Sequence, residues 1–241
     1  MPFDLRNITL ADRLRCAVDI QRATKRVNNL EEAANIVVRY LYDQSAPAPD
    51  GKNGCALVRC YITHPYGSLD GESKKFAAGI LGDISPYEGM NCLTLIATVG
   101  DEPAWNSKLE SRGHRTIPLP SAQAVERAPM IAQLIKQFGL QIADVVNPSL
   151  DVLHELAGKS YNVFHVEKAL GSPHVPAQDD FVIPFGIESV VGFGGSLATG
   201  DLYAVILFSR VRIPENSANR FRALALDVKS AFFRFREAVF A

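Results

Sequence analysis

The sequence lacks a strong charge imbalance, a long hydrophobic run and a targeting segment. Its 25 Lys and Arg residues nearly balance 26 Asp and Glu residues, which leaves a formal net charge of −1. A chain of this charge has no general attraction for phosphate backbones, so we expect no nucleic-acid partner. No apolar run approaches the ~20 residues that span a bilayer, and residues 1–7 lack the features of a secretory signal. These absences predict a cytoplasmic protein without a membrane partner.

Strong catalytic motifs are also missing. The sequence contains no Gly-x-Ser-x-Gly elbow, His-Glu-x-x-His pair or calcium-loop pattern. Gly158-Lys159-Ser160 resembles the end of a phosphate-binding loop, but Leu153 occupies the position of its required first glycine. The run 192–195 is rich in glycine but lies between strand segments, which is typical of a close backbone approach rather than a dinucleotide site. We therefore expect no catalytic residues and no metal site.

Cysteines are few, and all four lie in apolar surroundings. Cys16, Cys55, Cys60 and Cys92 are better suited to reduced, buried thiols than to a disulfide framework. Strand alternation predicts that Cys55 and Cys60 point to opposite faces, and Cys92 on a neighbouring strand is close enough in principle to meet one of them. A redox role for Cys60 or Cys92 therefore remains an alternative.

Helical patterns mark both ends of the chain. Thr9 and Asn29 are positioned as N-caps for two helices, so residues 1–45 are predicted to form an N-terminal helical region. A pattern over 121–138 contains Pro129, which predicts a kink or a later start. A further short helix is expected over 150–156. Pro214 and an apolar stripe ending near Phe235 predict a C-terminal helix over 214–241.

The apolar segments between the helices are predicted to form strands. In the first strand, over 55–62, alternation places Ala56, Val58, Cys60 and Ile62 on a core face. Leu57, Arg59 and Tyr61 fall on the opposite face, whose mixed character is typical of a cavity lining. In a second strand, over 92–99, Thr94 and Thr98 are predicted to share one face, and Thr94 is expected to point into the same cavity. A third, brief strand is expected over 161–166.

Two groups of residues suggest ligand chemistry. Trp105, Arg112, His114 and Arg115 form a cationic and aromatic cluster in an irregular segment, which suggests an anion-binding lid or, alternatively, a solvated loop. His165 lies in the third strand and His174 in the loop after it. Either histidine suits a metal, an axial haem ligand or a hydrogen bond to an organic ligand, and the alternative for His165 is a satisfied core side chain.

The segment 185–235 carries a resemblance to a known family. It contains a Gly186-Ile187-x-Ser189 strand start, a second apolar strand ending in Phe208-Ser209, and an Ile213-Pro214-Glu215 entry to the last helix. This order resembles the closing half of a GAF domain, a small-molecule-sensing module. The resemblance implies an α/β (α+β) fold with a central antiparallel sheet. It also implies terminal helices on one face of that sheet and a pocket roofed by loops and short helices on the other.

The resemblance leads to a specific set of expectations for residues 1–241 as one domain. The chain is expected to be the sensor domain of a bacterial histidine kinase or cyclase system, forming a homodimer through its terminal helices and acting on a kinase, cyclase or other output domain. Long segments between the strands depart from a minimal GAF domain, so the resemblance implies no particular ligand. Two alternatives are a thiol-dependent redox protein on the same fold and a ligand-free dimerisation scaffold. The residues expected to bind a ligand are Arg59, Tyr61, Trp105, His114, Phe164, His165 and His174.

Overall fold

One antiparallel sheet of six strands forms the centre of the molecule. The computed structural model describes residues 1–111, 114–148, 161–197 and 199–235. The strand order is β3-β2-β1-β6-β5-β4, so the longest strand, β1, is central. The strand bounds are β1 Cys55–Pro65, β2 Asn91–Gly100, β3 Thr116–Pro118, β4 Phe164–Val166, β5 Ser189–Ser196 and β6 Leu202–Ser209. The predicted mixed fold with an antiparallel sheet is confirmed.

Helices cover both faces of this sheet. The first two begin at the predicted caps: Thr9 Oγ1 accepts a hydrogen bond from the backbone N–H of Asp12 at 3.1 Å, and Asn29 Oδ1 accepts one from Glu32 at 2.8 Å. These caps satisfy backbone donors that a helix start leaves unpaired. The helix bounds are α1 Leu10–Thr24, α2 Leu30–Asp43, α3 Gly71–Leu81, α4 Ala122–Glu126, α5 Pro129–Gln137, α6 Ile142–Val146, α7 Glu215–Ala218 and α8 Phe221–Phe232.

The terminal helices α1, α2 and α8 pack together and form the layer on one face of the sheet. Phe193 of β5 stacks on Phe221 of α8 with ring centroids 5.7 Å apart. Tyr203 of β6 donates its hydroxyl to the backbone oxygen of Ala225 at 2.5 Å, so its buried polar end is satisfied. This arrangement leaves the opposite face of the sheet to the shorter helices and loops.

Several predicted elements differ in detail. The segment over 121–138 forms two helices, because Pro129 lacks a backbone N–H and instead starts α5. The last helix is interrupted between Ala218 and Phe221, so the predicted single helix from residue 214 is wrong. β3 lies in a segment predicted to be irregular, where Thr116 pairs with Thr94. The helix expected over 150–156, the Gly158-Lys159-Ser160 motif and Arg112 lie outside the described residues.

Two register shifts in β1 pairing change which side chains share a face. The pairing with β6 shifts between Cys55 and Leu57, and both Cys55 and Cys60 pack in the core beneath the terminal helices. The prediction that their thiols point to opposite faces is therefore wrong. Ala56 packs with the residues of the opposite face, not with Val58 as predicted. A bulge adds one residue to a strand, and alternation on either side of it no longer matches.

The second shift explains an error on β2. The pairing between β1 and β2 shifts at Cys60 and Tyr61, so Ile96 is an extra residue on β2. Thr94 pairs with Ile62 and lies on the face of the terminal helices, whereas Thr98 pairs with Arg59 on the other face. The predictions that these threonines share a face and that Thr94 points into the cavity are wrong for this reason.

The glycine run on β5 has the predicted structural role. A Cβ atom on Gly194 would overlap the carbonyl oxygen of Tyr203 on the paired strand, and one on Gly192 would lie 3.3 Å from Phe164. The run therefore allows close backbone and ring packing between strands. No helix in the described part of the chain combines the length and the apolar character needed to cross a bilayer.

Candidate functional site

A cavity of about 650 Å³ lies on the face of the sheet opposite the terminal helices. Its volume falls within the range of small-molecule sites, which is roughly 300–1,000 Å³. Side chains of β1, β2 and β6 form its floor, and α3, α5 and two loops surround it. The lining residues are Leu57, Arg59, Tyr61, Phe76, Ile80, Leu93, Trp105, His114, Ile117, Ala128, Pro129, Met130, Ile131, Leu134, Pro176, Ala177, Phe181, Ile206 and Phe208.

Strand register places the predicted floor residues together. Leu57, Arg59 and Tyr61 lie at alternate positions of β1 and all line the cavity, as the sequence predicted. Arg59 pairs with Ile206 on β6, which lines the same cavity, because residues directly opposite each other in a sheet share a face. Alternation holds across these three residues of β1 because the second register shift adds its extra residue, Ile96, to β2 and not to β1.

Trp105 forms part of an aromatic wall. It lies in the 3₁₀ turn Pro103–Asn106 directly after β2, and its backbone oxygen accepts a hydrogen bond from Thr98 Oγ1 at 2.9 Å. Its ring centroid is 4.5 Å from Phe185 and 5.5 Å from Phe181. Aromatic pairs at these separations add attraction beyond the burial of their area. The predicted position of Trp105 at the cavity is confirmed.

The polar end of the cavity centres on Arg59. Its Nη1 donates to the hydroxyl of Tyr61 at 3.3 Å, and its Nη2 donates to Ser111 Oγ at 3.4 Å. Both contacts are long for hydrogen bonds, and the buried Nε atom of Arg59 has no hydrogen-bond partner among the described residues. The ion pairs found within the described residues do not include Arg59. This guanidinium therefore has unused hydrogen-bonding capacity towards the cavity.

His114 contributes a neutral imidazole to the same cavity. Burial lowers the pKa of His114, and the positive charge of Arg59 lowers it further. Its backbone has a φ of 61°, a left-handed conformation that is uncommon outside glycine and asparagine. Such backbone strain recurs at ligand sites, where the surrounding structure holds the residue in place. His114 thus faces a positively charged neighbour without itself carrying a charge near neutral pH.

The remaining predicted site residues do not line the cavity. Phe164 is fully buried beside Gly192, so it supports the sheet beneath the roof and is not open to a ligand. The Nε2 atom of His165 lies 2.8 Å from the backbone oxygen of Ile213, at the entry to α7, so the prediction that His165 points into the cavity is wrong. His174 lies two residues before Pro176, which lines the cavity, but is itself outside the lining.

Neither histidine is therefore positioned to hold a haem in the cavity. His165 is also held by Gln137 of α5, whose amide accepts from the His165 N–H at 2.6 Å and donates to its carbonyl at 3.3 Å. This pairing covers the backbone edge of β4, and the contact of Nε2 with Ile213 engages the half-buried side chain, which agrees with the alternative of a satisfied histidine. Arg115 pairs with Glu72 at 3.2 Å and does not line the cavity, so among the described residues of the predicted cationic and aromatic cluster only Trp105 and the neutral His114 face the cavity.

Most of the roof was not predicted. Phe76 and Ile80 of α3, Met130 of α5 and Phe181 enter the cavity from segments far apart in the sequence. The spacing of Phe76 and Ile80, four residues apart on one helix, is the signal that these two point the same way. No local pattern in the sequence predicts that Phe181 meets the floor. Its contact with Phe208, at a centroid distance of 5.1 Å, depends on how the segment before β5 folds over the sheet.

One segment connects the cavity to the terminal helices. Residues 101–111 follow β2, and within them Trp105 lines the cavity and Ser111 accepts a hydrogen bond from Arg59. Tyr42, near the end of α2, donates its hydroxyl to Asp101 Oδ1 at 2.6 Å. Lys108 lies 2.5 Å from Glu31 in the first turn of α2. This connector segment, residues 101–111, therefore contacts both ends of α2 and the cavity.

The cysteines are distant from this chemistry. All four are free and buried, and burial raises the pKa of Cys16 to about 11 and that of Cys92 to about 12. Cys60 faces the terminal helices, and burial raises its pKa as well. Cys60 pairs with Ala97 while Cys92 pairs with His64, so the two thiols are separated along the strands. Among the described residues, no three His, Cys, Asp or Glu side chains are grouped to hold a metal ion.

Solved structures of GAF domains are among those similar to this chain. Its sheet with terminal helices on one face and a roofed cavity on the other has the architecture expected from the sequence resemblance. This architecture agrees with the GAF-like fold that the sequence resemblance implies. The GAF domain of a phosphoenolpyruvate-protein phosphotransferase from Coxiella burnetii is 12% identical over 94% of this chain and 95% of that chain, with a TM-score of 0.46. No family model and no curated protein sequence matches the chain.

Two further structures of similar shape come from proteins of different function. A free methionine-R-sulfoxide reductase from Neisseria meningitidis is 11% identical over 95% of this GAF-like chain and 93% of its own, with a TM-score of 0.47. The phycocyanobilin-bound GAF domain of a cyanobacterial phytochrome is 12% identical over 94% and 96%, with a TM-score of 0.44. Similarity at this level assigns none of these proteins' functions to this chain. The residues that line the cavity are the evidence for its function.

Proposed function

We propose that this chain is a small-molecule-sensing regulatory domain that binds a ligand in the cavity and signals through its terminal helices. The observation that carries the proposal is the combination of an apolar cavity of about 650 Å³ with a connector segment bonded to α2. A ligand seated there would contact Trp105 directly. Burial of apolar surface would supply affinity at roughly 25 cal/mol per Å².

The connector segment supports a mechanism by population shift. A ligand changes an equilibrium only if it binds one conformation better than another. Trp105 is the point of contact, and Asp101 and Lys108 in the same segment hold α2. A ligand that favours one position of Trp105 would therefore favour one position of α2 relative to the sheet. The output partner would be a kinase, a cyclase or another domain that reads this position.

The exposed surface of the terminal helices supports a homodimer. Leu10, Leu14 and Val18 follow one face of α1 at intervals of four residues and are between 48% and 59% exposed. Leu226 on the neighbouring α8 is 56% exposed, beside Asp227, whose carboxylate pairs with Arg13 at 2.8 Å. An apolar stripe of this spacing suits packing against the same stripe of a second chain. Ligand-induced movement of α2 would then alter a dimer interface.

The proposal requires no chemical step. A thiol-dependent activity would need a thiolate open to substrate, since the thiolate is the reactive form. Burial raises the pKa of Cys60 and Cys92, and neither thiol lines the cavity. These features favour ligand binding over the redox alternative. The cavity likewise favours a sensor over a ligand-free scaffold, in which a collapsed roof would be expected.

The single tryptophan provides the experiment. Because Trp105 is the only tryptophan in the sequence and lines the cavity, its fluorescence reports occupancy directly. Pooled small molecules are titrated into the full chain, with thermal unfolding measured in parallel. We expect active pools to shift the emission and to raise the melting temperature, as mass action requires. Native mass spectrometry of freshly purified protein then reports any retained ligand and the number of subunits.

A cavity-filling variant gives the control. Leu93→Phe adds volume to a partly buried floor residue of β2, and Ile84→Phe makes a comparable change at an exposed position outside the cavity. Leu93→Phe should weaken the emission change, and Ile84→Phe should leave it intact. Equal responses in both variants, or no response of the unmodified chain to any pool, would contradict the proposed function.

A further inference from the structure

The polar end of the cavity presents donors and a positive charge without a matching acceptor. The guanidinium of Arg59 has only hydrogen-bond donors and no acceptor. Its two side-chain hydrogen bonds are to hydroxyl groups, at 3.3 Å and 3.4 Å, and its buried Nε donates to no atom of the described residues. No carboxylate of the described residues forms an ion pair with it. Arg59 is half-buried beside apolar side chains, and a cation in such a setting is less favourable when it is unpaired, so a ligand that supplies the negative charge is favoured.

The geometry points to a carboxylic acid with an apolar body as the ligand, its carboxylate held by Arg59 and the hydroxyl of Tyr61. This inference rests on the proposed function and narrows it to a class of ligand. A planar guanidinium matches the two oxygens of a carboxylate in a paired arrangement. Tyr61, 3.3 Å from Arg59 Nη1, is placed to donate a further hydrogen bond to the same group.

The positive charge found among the described residues at the cavity favours a single negative charge on the ligand. Arg59 supplies one unit. The start of α5, where Ala128 offers no side-chain cap, borders the cavity and adds up to about half a unit from the helix dipole. His114 is held neutral by burial and by Arg59. A phosphate monoester carries about −1.5 to −2 at pH 7 and would be undercompensated, whereas a carboxylate carries −1.

The rest of the lining selects an apolar body. Trp105 and Phe181 present aromatic rings, and Leu57, Ile117 and Met130 present aliphatic groups. No acidic side chain is among the lining residues of the described chain, so a cationic group on the ligand would find no partner there. An apolar chain or ring attached to a carboxylate satisfies both parts of the cavity.

A series of probes that differ only at the polar group tests this inference. The probes are 5-phenylpentanoate, its alcohol 5-phenylpentan-1-ol, 5-phenylpentylamine and 5-phenylpentyl phosphate, together with the same four groups on a decyl chain. Binding to the full chain is measured by Trp105 fluorescence and by calorimetry. We expect each carboxylate to bind at least about tenfold more tightly than its alcohol, since charged hydrogen bonds exceed neutral ones by this margin.

Variants of Arg59 assign the effect to this residue. Arg59→Met should reduce the carboxylate affinity by about tenfold or more while leaving the alcohol nearly unchanged. Arg59→Lys keeps the charge and should retain part of the preference for the carboxylate over the alcohol. This variant provides a second measurement if Arg59→Met folds poorly. Arg39→Met, at an exposed position of α2, removes the same charge outside the cavity and should change nothing.

The possible outcomes separate this inference from the proposed function. Equal binding of alcohol and carboxylate, unaffected by Arg59→Met, would overturn the ligand class but leave a sensing cavity. Tighter binding of the amine or the phosphate than of the carboxylate would also overturn the class. If the pooled small molecules and all eight probes left Trp105 unchanged, the proposed function would fail together with this inference.

Discussion

The side chain of Lys108 lies 2.5 Å from that of Glu31 and joins the connector segment to the first turn of α2. Both side chains are less than a quarter exposed, so solvent screens this ion pair less than a surface pair. Trp105, three residues before Lys108, lines the cavity. One short segment thereby joins the cavity wall to a terminal helix, and the proposed sensing mechanism depends on this contact.

The thiols should be unreactive in the native protein. Burial raises the pKa of Cys16 to about 11, so only on the order of one thiol in a thousand is ionised at pH 8. Burial raises the pKa of Cys55 and of Cys92 to about 12. Mass spectrometry after iodoacetamide treatment at pH 8 should find all four cysteines unmodified, and labelling should become complete in denaturant. Fast, selective modification of Cys60 or Cys92 in the native chain would favour the redox alternative.

Two glycine substitutions should shift stability in opposite directions. Gly194→Ala places a Cβ against the backbone of Tyr203 and should cost about 1–3 kcal/mol in the free energy of unfolding. Gly79→Ala lies in α3 with no atom near the added methyl group, and should stabilise by about 0.5–1 kcal/mol through helix propensity. Urea unfolding measures both. A neutral Gly194→Ala would show that the close strand approach at this residue is not required.

Alternation and capping predicted the parts of the structure that depend on neighbouring residues. Arg59 and Tyr61 were placed correctly because β1 itself alternates regularly from Leu57 onwards, and the extra residue of the second register shift is on β2. Thr94 was misplaced because the extra residue at Ile96 arises from strand pairing, which no local pattern reveals. His165 was misplaced because its neighbours Phe164 and Val166 are both apolar, so composition does not distinguish the faces of a three-residue strand.

The cavity roof shows the limit of local patterns more clearly. The aromatic and cationic character of residues 105–115 indicated a ligand-facing segment, and Trp105 and His114 do line the cavity. Met130 and Phe181 join them only because long connections bring α5 and the loop before β5 over the sheet. Contacts between segments so far apart depend on how the whole chain packs, and one sequence alone does not specify them.

An exposed charge on α1 should disrupt the proposed dimer. Leu14→Glu places a carboxylate in the middle of the apolar stripe, and burying it against a second chain would be unfavourable. Light scattering at micromolar concentration should show a change from a dimer to a mass near 26.3 kDa, that of one chain. Ile84→Glu, at a residue 50% exposed outside the terminal helices, is the matched control. A dimer that tolerates Leu14→Glu would place the interface elsewhere.

Acidification should destabilise the chain through His114. Burial, and then the charge of Arg59, lower the pKa of His114 below its ordinary 6.5. At a pH between the folded pKa and 6.5, the unfolded chain therefore binds a proton at this residue and the folded chain does not. Stability is therefore present above pH 6.5 and is lost as the pH falls towards the folded pKa. His114→Asn, which suits the left-handed backbone, should reduce the loss of melting temperature between pH 7 and pH 5. Identical pH profiles would contradict the buried, neutral state of this imidazole.

Hydrogen exchange with and without a cavity ligand tests the central claim most directly. Amide exchange of the full chain is compared with and without saturating 5-phenylpentanoate, or the retained ligand if one is found, and Lys108→Met is measured alongside. We expect slower amide exchange in both the connector segment and α2 when the ligand is bound. In Lys108→Met the ligand affinity should be unchanged, and the slowing of exchange in α2 should be smaller. Protection confined to the cavity lining, with α2 unaffected in the unmodified chain, would contradict it.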